Sequence, residues 1–119
     1  MTQHLDTGRL GEDLAQEELL AQGYEIIARN WRYKNLEIDF IAKDQETLVF
    51  VEVKTRRTTR YGQPHESVDW KKQQKLARAA NIYLQYSKYQ GDIRFDIVSI
   101  ILNMPKTELS IIKDAFWPS

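Results

Sequence analysis

Leu36-Glu37-Ile38-Asp39-Phe40-Ile41-Ala42, the polar break Lys43-Asp44-Gln45-Glu46, and Thr47-Leu48-Val49-Phe50-Val51-Glu52-Val53-Lys54-Thr55 form the stretch on which the reading of this chain turns. Each half alternates, the period of a half-buried strand. The break between them reads as a tight turn, so the whole is a β-hairpin. Successive strand residues point to opposite faces. Glu37, Asp39 and Ile41 therefore share one face of the first strand, and Leu48, Phe50, Glu52 and Lys54 one face of the second. A turn at Asp44-Gln45 sets Asp39 opposite Phe50 and diagonal to Glu52. A turn at Gln45-Glu46 sets Asp39 directly opposite Glu52. Either two-residue turn puts both carboxylates on one face, whereas a three-residue loop without a bulge breaks the parity. Direct cross-strand neighbours lie about 4.5–5.5 Å apart and diagonal ones about 7–8 Å. At either spacing both can reach one divalent cation, whose oxygen ligands sit at roughly 2.0–2.6 Å.

The two carboxylates stand among Ile41, Leu48 and Phe50, so their face is not simply polar. Like charges opposed on a sheet destabilise it, and a buried carboxylate without a partner costs several kcal/mol. Two readings follow. Either these are solvated charges on an exposed face, or a bound cation offsets their repulsion.

Asp39, a dozen residues, then Glu52-Val53-Lys54 at the end of an apolar strand resembles the signature of the PD-(D/E)XK nuclease superfamily. The longer run, from Glu37-Ile38-Asp39-Phe40-Ile41-Ala42 to Val49-Phe50-Val51-Glu52-Val53-Lys54-Thr55-Arg56, is more closely similar to the YraN-like family. These are small bacterial proteins of predicted nuclease fold, related to archaeal Holliday-junction resolvases. The resemblance covers nearly the whole chain and departs from the family pattern at Asn35-Leu36, where a glycine usually precedes the Glu-Ile-Asp run. It implies a restriction-endonuclease-like α/β fold of order α-β-β-β-α-β-β, a central mixed sheet flanked by helices. It also implies Mg²⁺ or Mn²⁺ as cofactor, held by Asp39, Glu52 and the carbonyl of Val53. Glu12, in the Gly11-Glu12 pair of the first helix, matches a glutamate that faces the metal site. Lys54 would orient or help deprotonate the attacking water. Glu37 is an extra ligand or a structural neighbour, and Gln73 matches a polar position near the metal. The implied partner is DNA, of junction type, and resolvase-like proteins act as homodimers.

The totals bound these readings. The chain of 119 residues makes one domain, residues 1–119, with no room for a second catalytic module. Cysteine is absent, which leaves no disulfide, thiolate site or cysteine nucleophile. Two histidines, His4 and His65, exclude a multi-histidine zinc site within one chain. No apolar run approaches the roughly 20 residues that span a bilayer, and the N-terminus lacks a basic-then-apolar secretory pattern. A cytoplasmic protein without membrane contact is expected. The net charge is zero but polarised. In residues 1–28, Arg9 stands against six acidic residues, a net of −5. In residues 52–78, eight basic residues stand against three acidic ones, a net of +5. The basic part runs directly out of the carboxylate hairpin.

Outward from the hairpin, Asp6-Thr7 reads as a helix N-cap and Gly23 as the stop. Glu12, Ala15 and Leu19 form a stripe, so Glu12 lies on a partly apolar face. Tyr24 to Ala28 is the first strand, and Arg29-Asn30-Trp31-Arg32-Tyr33-Lys34 a basic, aromatic loop. Such a loop either grips phosphates and stacks on bases or simply tucks Trp31 in. Thr55 to Pro64 carries Arg56, Arg57, Arg60 and Tyr61 beside the carboxylates, suited to phosphate contacts. His65 is a weak candidate base. Ser67 or Asp69 caps a second helix from about Trp70 to Tyr86, with Leu76, Ala79, Ala80, Tyr83 and Leu84 as its core stripe. Lys72 and Lys75 fall off that stripe as further phosphate contacts, with Lys71 and Arg78 as a solvated face. Ile93 to Leu102 is a buried strand whose Arg94 and Asp96 share a face in a structural pair. Glu108 to Ile112 is the last strand, followed by a tail in which Trp117 packs on the core or a partner.

The function expected is metal-dependent phosphodiester hydrolysis on DNA, an endodeoxyribonuclease of resolvase type. The alternatives are a non-catalytic nucleic-acid-binding module on the same fold, or a protein-interaction domain using its acidic helix and basic face.

Overall fold

The computed structural model describes residues 3–57, 70–103 and 106–117. The elements follow the expected order: α1 (Gln3–Ala21), β1 (Glu25–Tyr33), β2 (Leu36–Asp44), β3 (Thr47–Arg56), α2 (Trp70–Ser87), β4 (Ile93–Leu102) and β5 (Thr107–Ile112). The five strands form one mixed sheet in the order β1-β2-β3-β4-β5. Only β3 and β4 run parallel; the other neighbours are antiparallel. A parallel pair needs a long crossover, and α2 lies within that connection. The fold is therefore a mixed α/β sheet flanked by two helices, compatible with the restriction-endonuclease-like architecture.

Each sheet face carries its own core. Towards α1, Ala15 and Leu19 pack on Phe40, Val49, Val51 and Val98. Towards α2, Leu76 and Ala79 pack on Ile38, Ile41, Phe50 and Phe95. β3 contributes to both, so it sits at the centre of the sheet with apolar side chains on both sides. The α2 stripe is as expected: Leu76, Ala79 and Ala80 are buried, and Tyr83 and Leu84 pack against them.

Two boundaries differ most from the sequence reading. α1 begins at Gln3, so Asp6 and Thr7 lie within it rather than capping it; no glycine or proline between Gln3 and Thr7 stops the helix there. At its other end Gly23 has φ 92, the left-handed conformation that ends helices. β1 runs on to Tyr33 through the segment expected to be a loop. The ladder explains this, since Arg29, Trp31 and Tyr33 pair with Phe40, Ile38 and Leu36 of β2. Trp31 is then held edge-on against Tyr83 of α2, with centroids 5.7 Å apart, as a core contact. The caps proposed at Ser67 and Asp69 lie outside the described residues.

The hairpin turn falls at Gln45-Glu46. Asp44 pairs with Thr47, Ile41 with Phe50 and Phe40 with Val51. Gln45 takes the positive φ of 58 that closes so short a turn.

Candidate functional site

The β2–β3 ladder ends at Phe40 and Val51. One step further the register brings Asp39 opposite Glu52, the second of the two turns considered. There the Val53 amide donates to Asp39 Oδ2 at 2.8 Å, so a side chain stands in for the missing backbone acceptor. Beyond this point β2 stays with β1 and β3 stays with β4. The sheet forks, and the fork opens a cavity of about 270 Å³. Asp39, Glu52 and Glu37 line it from the strands, Leu36 from the hairpin base, and Lys72 and Lys75 from α2.

A second irregularity fixes how Asp39 is presented. Asn30 lies opposite Asp39, between the pairs Arg29–Phe40 and Trp31–Ile38, and has φ 56. Asparagine is one of the few non-glycine residues that adopt this conformation readily. The alternation of faces slips at this level, since Ile38 and Ile41 both pack towards α2.

The electrostatics of the fork are those of two acids in contact. Burial, and next the Glu52 carboxylate hydrogen-bonded to it, push the Asp39 carboxyl up to about 7, against the opposing pull of the Val53 amide. Lys72 Nζ stands 3.9 Å from Glu52 Oε1. Lys54 adjoins Lys72, Glu52 and Asp39; burial and the Lys72 ammonium lower its pKa, while the two carboxylates raise it. Lys54 thus adjoins the pair without lining the cavity, whose lysines are Lys72 and Lys75.

Glu12 stands apart from this group. Its charge acts on Asp39, but its Oε1 accepts from Arg29 Nη2 at 3.3 Å and Asn30 Nδ2 at 3.1 Å. The same guanidinium also bonds Gln16 and Asp13. Among the described residues, no group of three acidic or histidine side chains converges on a point. As a donor set, the fork thus offers a divalent cation two carboxylates in contact, whose mutual repulsion it would offset. Glu12 would have to leave Arg29 and Asn30 to join them. Sequence reasoning missed this clamp, because Arg29 and Asn30 read as loop residues.

The other candidates divide clearly. Glu37 lines the cavity and also pairs with Arg32 at 3.5 Å. Gln73 is half-buried on α2 and does not line the cavity. Arg32 is exposed, and the Lys34 ammonium sits 5.5 Å from the Tyr33 ring centroid. Arg56 ends β3 and Arg57 follows it, two and three residues beyond Lys54. Arg60, Tyr61 and His65 lie outside the described residues. Arg94 and Asp96 pair with each other as expected, Nε to Oδ1 at 2.8 Å. They lie in a separate cluster, with Tyr24 and Asp44 rather than with the basic helix. No described helix is long and apolar enough to cross a membrane.

Comparison with known proteins places these residues in a family. The family model described as "Uncharacterised protein family UPF0102" matches residues 11–100, from Gly11 beside the clamp to Ile100 of β4. A "UPF0102 protein" of Christiangramia forsetii is 42% identical over 117 residues, 98% of each chain. One of Flavobacterium johnsoniae is 44% identical over 121 residues, again 98% of each. One of Prosthecochloris aestuarii is 45% identical over 119 residues, 94% of each. With the family model matched from α1 to β4 and relatives matched along nearly their full length, this chain belongs to the UPF0102 family.

Proposed function

We propose that this protein is a metal-dependent phosphodiesterase acting on DNA, an endonuclease whose site is the fork between β2 and β3. The observation that carries the reading is the register that sets Asp39 opposite Glu52, both lining a cavity whose other wall bears Lys72 and Lys75. A phosphate group drawn to those lysines would lie against the two acids. Anionic backbone and anionic side chains repel each other, and a cation between them removes the conflict. Asp39, Glu52 and the Val53 carbonyl are the proposed ligands for Mg²⁺ or Mn²⁺. When bound, the ion would neutralise charge developing on the phosphate and acidify an attacking water. Lys54, its pKa lowered by burial and by Lys72, is suited to orient that water and to move its proton. Lys72, Lys75, Arg56 and Arg57 are the proposed backbone grip, whose charge should make binding fall steeply with salt. Homodimerisation and a preference for junctions are expectations from the family resemblance alone.

A second reading is favoured by one observation. Glu12 is engaged by Arg29 and Asn30, which takes it out of the donor set that the family resemblance implies. On this reading the fork binds nucleic acid without turnover. The test is cleavage of labelled duplex, single-stranded and four-way-junction DNA with Mg²⁺ or Mn²⁺, for wild type, Asp39→Ala and Glu52→Ala. The nuclease reading expects cleavage by wild type, its loss in both variants, and retained DNA binding. Binding without cleavage by any form, and no calorimetric metal binding, would leave the non-catalytic reading.

A further inference from the structure

The β1–β2 connection carries two features at once. Leu36 and Glu37 on one side of it line the carboxylate cavity. Tyr33 on the other side lines a separate hollow of about 330 Å³, bounded on α2 by Ile82, Gln85 and Tyr86. The two tyrosine rings lie 6.1 Å apart at 53°, and Tyr86 is 69% exposed. Lys34, at the turn with φ 55, stands against the Tyr33 ring. Leu76 of the cavity and Ile82 of the hollow are six residues apart on α2, about 9 Å along its axis. That span is between two and three nucleotide steps at roughly 3.4 Å per step.

An exposed tyrosine at a hollow with a second ring, and an ammonium group standing over that second ring, matches what an unpaired nucleobase requires. The base stacks on a ring face, and the cation meets the adjacent phosphate. A base within duplex is already stacked and would first have to be flipped out, at a cost of a few kcal/mol, whereas an unpaired base is free to enter. We propose that Tyr33, Tyr86 and Lys34 form a stacking site for an unpaired nucleobase, selecting nucleic acid with a single-stranded segment at the fork. The inference rests on the nucleic-acid reading above and adds the feature of the substrate that the protein selects.

The test uses the full chain, in EDTA and at one fixed salt concentration, with fluorescence anisotropy on two probes. One is a labelled thymidine 20-mer; the other is a blunt duplex of the same length. Wild type is expected to bind the single strand more tightly. Tyr86→Ala should lose roughly tenfold on the single strand and little on the duplex. Tyr86→Phe keeps the ring and should stay close to wild type. Thermal unfolding checks that each variant is folded, which the exposure of Tyr86 favours. A single-strand affinity unchanged in Tyr86→Ala, or an equal loss on both probes, would overturn the stacking site while leaving the nucleic-acid reading standing. Failure of wild type to bind either probe, in EDTA and again with Ca²⁺ present, would overturn that reading and the stacking site with it.

Discussion

At the scale of single residues, Asp39 sets the balance between stability and chemistry. Its carboxyl is pushed up to about 7 from an ordinary value near 3.8. A raised acid pKa means that the folded state holds the proton more tightly than the unfolded chain does. That contribution is complete below about pH 4 and is lost as the pH climbs through 7. Above 7 Asp39 carries its charge beside Glu52, and the repulsion strains the fork. Asp39→Asn keeps an oxygen to accept from the Val53 amide and removes the charge. The variant should be more stable than wild type by about 1–3 kcal/mol at pH 8 in EDTA, with the difference vanishing near pH 4. Urea unfolding at both pH values measures it, and equal stabilities at pH 8 would contradict the assignment. Alternation from Ile41 and Phe50, with a two-residue turn, made this pair legible in the sequence, but it did not foresee that the alternation slips between Ile38 and Ile41, so that Glu37, Asp39 and Ile41 do not form one regular face. Parity could not choose between the two turns, since neither has the asparagine-glycine or aspartate-glycine pair that fixes one. It also could not foresee the clamp on Glu12, which depends on a positive φ at Asn30 and on a strand carried past Ala28.

Among elements, the approach of α1 to β3 is the tightest constraint. A Cβ built on Gly11 would collide with the hydroxyl of Thr55 and would also lie 3.2 Å from its Cβ and 3.3 Å from its Cγ2. Rotating the Thr55 side chain does not clear all three contacts, so the helix must move. In an open helix, Gly→Ala gains roughly 0.5–1 kcal/mol. Here overpacking outweighs that gain, and Gly11→Ala should destabilise the protein by about 1–3 kcal/mol. A higher melting temperature for Gly11→Ala than for wild type would show that α1 stands off β3. The same shift would carry Glu12 away from Asp39, one residue from the pivot. Both helices were legible from their apolar stripes. The extension of β1 was not, because Arg29 to Lys34 has the composition of a loop and becomes strand only through its pairing with β2.

For the molecule as a whole, the end opposite the fork is closed by a buried ionic cluster. Asp96 is 0% exposed and accepts from Tyr24 Oη at 2.7 Å, from Arg94, and from the Asp114 amide at 3.0 Å. Arg94 also reaches Asp44 beside the hairpin turn, at 2.8 Å. Its bonds there hold the Asp44 carboxyl below the usual range. The segment after β5 is tied in at several points: the Asp114 amide, Ala115 N to Phe95 O at 2.8 Å, and Phe116 stacked on Phe95 at 24°. Ending the chain at Ile112 should therefore cost about 2–4 kcal/mol, through a buried carboxylate short of a donor and an uncovered Phe95. Denaturant midpoints of the two lengths test it, and matching midpoints would show the segment to be dispensable. The parallel seam between β3 and β4 has a kinetic side. Its partners, such as Leu48 and Ile93, are forty-five residues apart, whereas the antiparallel pairs join neighbours along the chain. Closing so long a loop costs entropy before any contact repays it, so the seam should form last. In a chevron analysis, Ile41→Val within the early meander should slow refolding, while Val98→Ala at the seam should mainly hasten unfolding. The opposite pattern would place the seam in the nucleus. On this order Asp39 and Glu52 meet early, brought together by local chain, and Lys72 reaches them only when the two halves of the sheet join.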